Sequence, residues 1–139
     1  MRIVIDTSVF ISALLGSKGP SRELIHRCLL GHYQPLIGNA LFSEYESVIG
    51  REEIIRKCPL SSAEVTDLLA ALINVCEWVQ LYYLWRPNLR DEGDNHLIEL
   101  AIAGNAQVLS TNNVRDFQGA DLLFPTIAIL KPEQIIRQE

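Results

Sequence analysis

Apolar residues fall along this chain in short runs and in helical stripes that take turns. Ile3-Val4-Ile5 is a β-branched run that ends abruptly at Asp6-Thr7-Ser8, which predicts a buried first strand stopping there. A helix is expected over Val9 to Leu15. Gly19-Pro20-Ser21 then opens a second helix, with Leu24, Ile25, Cys28 and Leu29 on one face before Gly31. Pro35-Leu36-Ile37-Gly38 reads as the second strand, followed by a helix from about Asn39 whose stripe is Leu41, Phe42, Tyr45, Val48 and Ile49.

Ser61 and Glu64 form a capping-box pattern, and Val65, Leu68, Leu69, Leu72 and Ile73 follow at helical spacing. Trp78 to Leu81 reads as a third strand. A polar loop carrying Arg90-Asp91-Glu92-Gly93-Asp94 leads into a helix over Asn95 to Ala103, which Gly104-Asn105 should stop. Gln107 to Ser110 and Thr126 to Ile129 are the fourth and fifth strands, and Pro132 opens a short last helix around Ile135 and Ile136. Short apolar strands alternating with helices imply parallel pairing through right-handed crossovers, hence an α/β fold: a three-layer α/β/α sandwich on a parallel sheet of about five strands. Sites in such sheets form beyond the carboxyl ends of the strands. That rule singles out Asp6, after strand one, and Thr111-Asn112-Asn113, after strand four, as loops expected side by side.

With 139 residues, 48% of them hydrophobic and 21% charged, the expectation is a single packed domain over 1–139. The opening apolar run is too short for a signal peptide, and no segment approaches the roughly 20 apolar residues of a membrane span. A cytoplasmic protein without a membrane partner is expected. Cys28, Cys58 and Cys76 are odd in number and form no CxxC pair, and His26, His32 and His96 fall in no zinc-type spacing. The net charge of -5 counts against tight nonspecific binding to a polyanion, although metal ions and a few arginines can offset it locally.

Carboxylates converging on one crevice repel each other unless cations sit among them, so an acid cluster points to Mg²⁺ or Mn²⁺. The candidates are Asp6, Glu44, Asp94 and Asp91. Each has an ordinary alternative. Asp6 and Asp94 both stand where a helix N-cap belongs, and helical geometry does not separate Glu44 from Glu46 on the other border of the same stripe. Asp91 reads as a solvated loop charge, and His96 as a surface or packing residue.

The combination of segments resembles the PIN domains, within them the bacterial and archaeal toxin components of toxin–antitoxin pairs (VapC-like ribonucleases). Residues Ile3 to Leu15 are similar to the family's hydrophobic strand, Asp-Thr-Asn and Ser-Ala-Leu run, with Ser8 in place of the usual Asn. Leu41 to Arg51 resembles its Glu-Tyr-x-x-Val-Leu-x-Arg helix, which implies a metal role for Glu44 and none for Glu46. Arg90 to Ala101 resembles an Arg-Asp-Pro-x-Asp stretch leading into a helix, which implies Asp94 as the third acid. Val108 to Asn113 falls where many members have Thr-Gly-Asp, so Asn113 stands in the place of a fourth carboxylate. An amide oxygen still ligates a hard cation but brings no charge, so a second ion should bind more weakly; Asp116 is placed to compensate.

The resemblance implies a metal-dependent endoribonuclease in which Asp6, Glu44 and Asp94, with Asn113, hold one or two Mg²⁺ or Mn²⁺ ions, Thr7, Ser8 and Thr111 orient ligands through their hydroxyls, and Asp91 supports them. Arg51, Arg86, Arg90 and Arg115 are candidates for substrate phosphates, and Trp85 for stacking on a base. A cognate antitoxin and a homodimer are further implications. The rival readings are a PIN-like module, weakened at Asn113, that binds RNA or protein, and a phosphatase with an aspartyl nucleophile at Asp6. The phosphatase chemistry expects a second Asp where Ser8 stands, and no GxGxxG follows strand one to suggest a dinucleotide site.

Overall fold

The computed structural model describes residues 1–16, 19–80, 95–117 and 126–137. The strands are β1 (Arg2–Ile5), β2 (Gln34–Ile37), β3 (Glu77–Trp78), β4 (Val108–Ser110) and β5 (Ala128–Leu130). The α-helices are α1 (Thr7–Leu15), α2 (Pro20–Leu29), α3 (Asn39–Ile49), α4 (Glu52–Lys57), α5 (Ser62–Val75), α6 (Asn95–Ala103) and α7 (Pro132–Arg137), with a 3-10 turn at Val114–Phe117. The sheet is parallel throughout, in the order β3-β2-β1-β4-β5. This is the expected three-layer α/β/α sandwich. Ile3, Val4 and Ile5 are all buried although they point alternately to opposite faces, which is possible only because helices cover both sides of the sheet.

Several elements begin and end for reasons written into their residues. Ser61 and Glu64 make both bonds of the capping box at the start of α5. Pro20 and Pro132 each occupy a first helical turn, where the missing N–H costs nothing. At the end of α6, Asn105 takes the left-handed conformation with φ of 56°. Ala106 N–H donates to Ala101 C=O at 2.8 Å and Asn105 N–H to Ile102 C=O at 3.2 Å, so the stop is a Schellman motif. Gly104 beside it sits in a tight space: a Cβ there would lie 2.5 Å from Leu36 Cδ1 and 3.3 Å from Leu100 C=O, so the Leu36 side chain would have to shift.

The differences from expectation are local. α4 carries only one buried residue, Ile54, and so has no stripe to announce it. The third strand starts at Glu77 rather than Trp78 and pairs over Glu77–Trp78, with Val79 N–H donating to Ile37 C=O at 2.8 Å just beyond; Leu81 lies outside the described residues. Among the described residues no helix is long and apolar enough to cross a membrane.

The chain steps from β1 outward to β2 and β3, then returns to place β4 on the other side of β1. The strand order therefore reverses between β1 and β4, and the crevice beyond their carboxyl ends is the switch point of the sheet. α3 is fixed over that edge by Tyr45, whose ring stacks on Phe10 of α1 at a centroid distance of 4.6 Å. Its hydroxyl donates to Ile5 C=O at 2.5 Å, so the helix is tied to the last residue of β1.

Replacing Tyr45 by Phe keeps the ring packing and removes that one bond. The expected loss is about 1–2 kcal/mol in urea unfolding at an unchanged m value.

Candidate metal centre

Parallel pairing of β1 with β4 matches Ile5 with Ser110, so the residues that follow, Asp6 and Thr111, emerge together at the switch point. Asp6 N–H still donates to Ser110 C=O at 2.9 Å, which holds its backbone to the sheet. Asp6 occupies the N-cap position of α1: its C=O accepts from Val9 N–H at 3.0 Å. Its side chain, however, makes no capping bond. The carboxylate is only 6% exposed, and Oδ2 instead accepts from Thr111 Oγ1 at 2.6 Å and from Ser8 Oγ at 2.9 Å.

Those two hydroxyls are themselves polarised. Asn112 N–H donates to Ser8 Oγ at 3.1 Å, and Asn113 N–H donates to Thr111 Oγ1 at 2.9 Å. Two relays thus run from the backbone of the loop after β4 to one carboxylate oxygen, each bond strengthening the next. The loop is laced to α1 as well: Asn112 Nδ2 donates to Ser12 Oγ at 2.9 Å. This lacing gives Asn112 a structural role that the sequence did not suggest.

Glu44 projects from α3 toward the same crevice. Thr7 Oγ1 donates to Glu44 Oε1 at 2.5 Å, and His96 Nε2 lies 3.1 Å from Glu44 Oε2. Burial alone would raise the Glu44 pKa; the hydrogen bonds of His96 and Thr7, with the charges of His96 and Arg51, outweigh it and hold the carboxyl below the usual glutamate range. Glu46, by contrast, is exposed to solvent. His96, expected to be a surface or packing residue, is a half-buried partner of Glu44, with its Nδ1 unpartnered among the described residues. The sequence held one cue to this: His96 follows Asp94 by two residues and stands in the first turn of α6.

Asp6, Thr7, Ser8, Ile11, Ser43, Glu44, Ser47, Arg51, Asn113 and Asp116 line one cleft of about 480 Å³. Seven of the residues singled out in the sequence, Asp6, Thr7, Ser8, Glu44, Arg51, Asn113 and Asp116, therefore share a wall, with Thr111 buried behind Asp6. Arg115 is exposed and is not among the residues lining the cleft. Asp91, Asp94, Arg86, Arg90 and Trp85 lie outside the described residues. The donors in the cleft are carboxylate and amide oxygens, which suit a hard divalent cation. Among the described residues no three His, Cys, Asp or Glu side chains converge closely enough to hold an ion by themselves. Thiolate ligation has no support here: burial pushes Cys28 and Cys76 up to about 12.

The family model of the PIN domain matches residues 2–115. No curated protein matches the sequence.

His96→Ala removes the strongest influence that lowers the Glu44 pKa and leaves the burial that raises it. The Glu44 carboxyl is therefore expected to titrate at higher pH in the variant, read by ¹³C NMR of the side-chain carbon in metal-free protein. The sign matters for stability too: a depressed carboxyl pKa contributes above its unfolded value and is lost as pH falls through the folded one.

Proposed function

The chain belongs to the PIN-domain family, a nuclease-type fold whose members generally work with divalent metals, and on that premise we propose that it is a metal-dependent endoribonuclease. The observation that carries this reading is the state of Asp6. At a strand-to-helix junction an aspartate ordinarily caps the helix, yet this one leaves the cap unmade and is held in the cleft by two hydroxyls. That arrangement orients a ligand rather than stabilising α1.

In the proposed site Asp6 and Glu44 hold Mg²⁺ or Mn²⁺. Asp94 supplies a further carboxylate, since Asp6, Glu44 and Asp116 line the cleft without converging on one point, and Asp91 stands near it in sequence. Bound ions of this kind lower the pKa of water and neutralise charge on a phosphodiester. Thr111 and Ser8 fix the rotamer of Asp6, and Thr7 with His96 fixes that of Glu44, so both carboxylates are oriented before a cation arrives. Asn113 and Asp116 line the same cleft, where the amide contributes an oxygen without a charge. Arg51, also on the wall, is the described arginine best placed to meet a phosphate; Arg86, Arg90 and Arg115 are further candidates.

The same reading makes the protein the toxin of a toxin–antitoxin pair, a cytoplasmic homodimer of single-domain chains blocked by a cognate antitoxin. Family resemblance alone supports this part. Asn113 in the cleft favours one alternative, a weakened PIN domain that binds RNA or protein without cutting it.

With Mn²⁺ present, wild-type protein is expected to cleave RNA, and Asp6→Asn, which keeps the size of the side chain, to lose at least about 100-fold of that rate. Cleavage unaffected by Asp6→Asn would overturn the site assignment. Asn113→Asp is expected to lower the Mn²⁺ concentration needed for half-maximal cleavage. If wild type is inactive and Asn113→Asp restores cutting, the binding-module reading replaces the enzyme.

A further inference from the structure

The cleft at Asp6 is one of the hollows that described residues form along the carboxyl edge of the sheet. Another, of about 470 Å³, is lined by Asn39, Ala40, Trp78, Val79 and Gln80. Both lie against the same strip of α3. Asn39 and Ala40 face the second hollow, whereas Ser43, Glu44 and Ser47 face the first. Residues four apart on a helix are neighbours on its surface, with Cβ atoms about 5–6 Å apart. Asn39, Ser43 and Ser47 therefore form one continuous row of small polar side chains, with Ala40 and Glu44 beside it, and no bulky residue of this row separates the hollows.

Trp78 is 49% exposed, unusual for the largest apolar side chain and the one aromatic ring among the exposed large hydrophobics of the described residues. It is nevertheless held in place. Its backbone pairs in register with Ile37 of β2, and its ring meets Phe42 of α3 edge-on, with centroids 5.5 Å apart at 60°. β3 lies two strands from β1, about 10 Å at the spacing of strands in a sheet. A fixed, exposed indole thus stands roughly 10 Å from the strand that ends at Asp6, joined to its cleft by a polar lane.

We propose that Trp78 is a stacking platform for a nucleobase of single-stranded RNA, seating a base next to the phosphate held in the Asp6 cleft, with Asn39 lining the same hollow to meet the base edge. The proposal rests on the nuclease reading of that cleft for the identity of the strand. Every base has a π-face, so such a platform gives affinity without strong sequence preference, and it suits a protein whose net charge of -5 offers little general attraction to a polyanion. Because Phe42 already orients the ring, little side-chain freedom is lost when a base lands on it.

The chain has two tryptophans, so Trp85→Phe leaves Trp78 as the sole indole emitter. In that variant, a single-stranded RNA dodecamer added in EDTA is expected to quench the emission saturably, and the same sequence as a duplex is not. Trp78→Ala is expected to weaken dodecamer binding about 10-fold and to raise KM for cleavage with little change in kcat, whereas Trp78→Phe retains most of the affinity. Saturable quenching by the single strand supports the platform even if Mn²⁺ elicits no cleavage, in which case the nuclease reading fails alone. Emission unchanged by an RNA that the protein cleaves overturns the platform and leaves the nuclease standing. Emission that follows protein concentration and ignores RNA overturns it as well, and assigns the ring to an interface between copies.

Discussion

An acid group taken almost out of water loses hydration worth several kcal/mol, and it stays where it is only if the protein supplies donors in exchange. At Asp6 those donors come from both ends of the chain: Ser8 from two residues away and Thr111 from 105 residues away. The second is within reach only because β4 pairs with β1 in parallel and in a register that matches Ile5 with Ser110. A one-residue slip would turn Thr111 to the opposite face and leave the carboxylate with Ser8 alone. The geometry of the cleft thus depends on the long-range strand pairing that also defines the fold.

Much of this arrangement was legible in the residues. The sudden change from Ile3-Val4-Ile5 to Asp6-Thr7-Ser8 marked the end of a buried strand, and a parallel sheet sends such ends to one edge, so Asp6 and Thr111 were expected as neighbours. Helical periodicity could not separate Glu44 from Glu46, because both border one stripe; in three dimensions Glu44 meets Thr7 and His96, and Glu46 is exposed. His96 itself was read as ordinary because its partner is 52 residues away and no spacing links them. α4 went unnoticed for a related reason, since a helix that buries a single side chain leaves no period to detect.

Charge explains why the cleft is built from hydroxyls. The chain is acidic overall, and Asp6, Glu44 and Asp116 already bring three carboxylates to the cleft, so a further one would add repulsion. Thr7, Ser8 and Thr111 orient carboxylates by donating hydrogen bonds without adding charge. Asn113, an amide in the same cleft, keeps the negative charge there lower than an aspartate would.

The central claim is that Asp6 and Glu44 are oriented for one shared cation. A crystal grown with Mn²⁺ and read by its anomalous difference map tests it directly. The account predicts a peak about 2.1 Å from a carboxylate oxygen of each residue, with Thr111 and Ser8 still bonded to Asp6. A map with no peak in this cleft at saturating metal, or with Mn²⁺ bound elsewhere while Asp6 turns to cap α1, would contradict it.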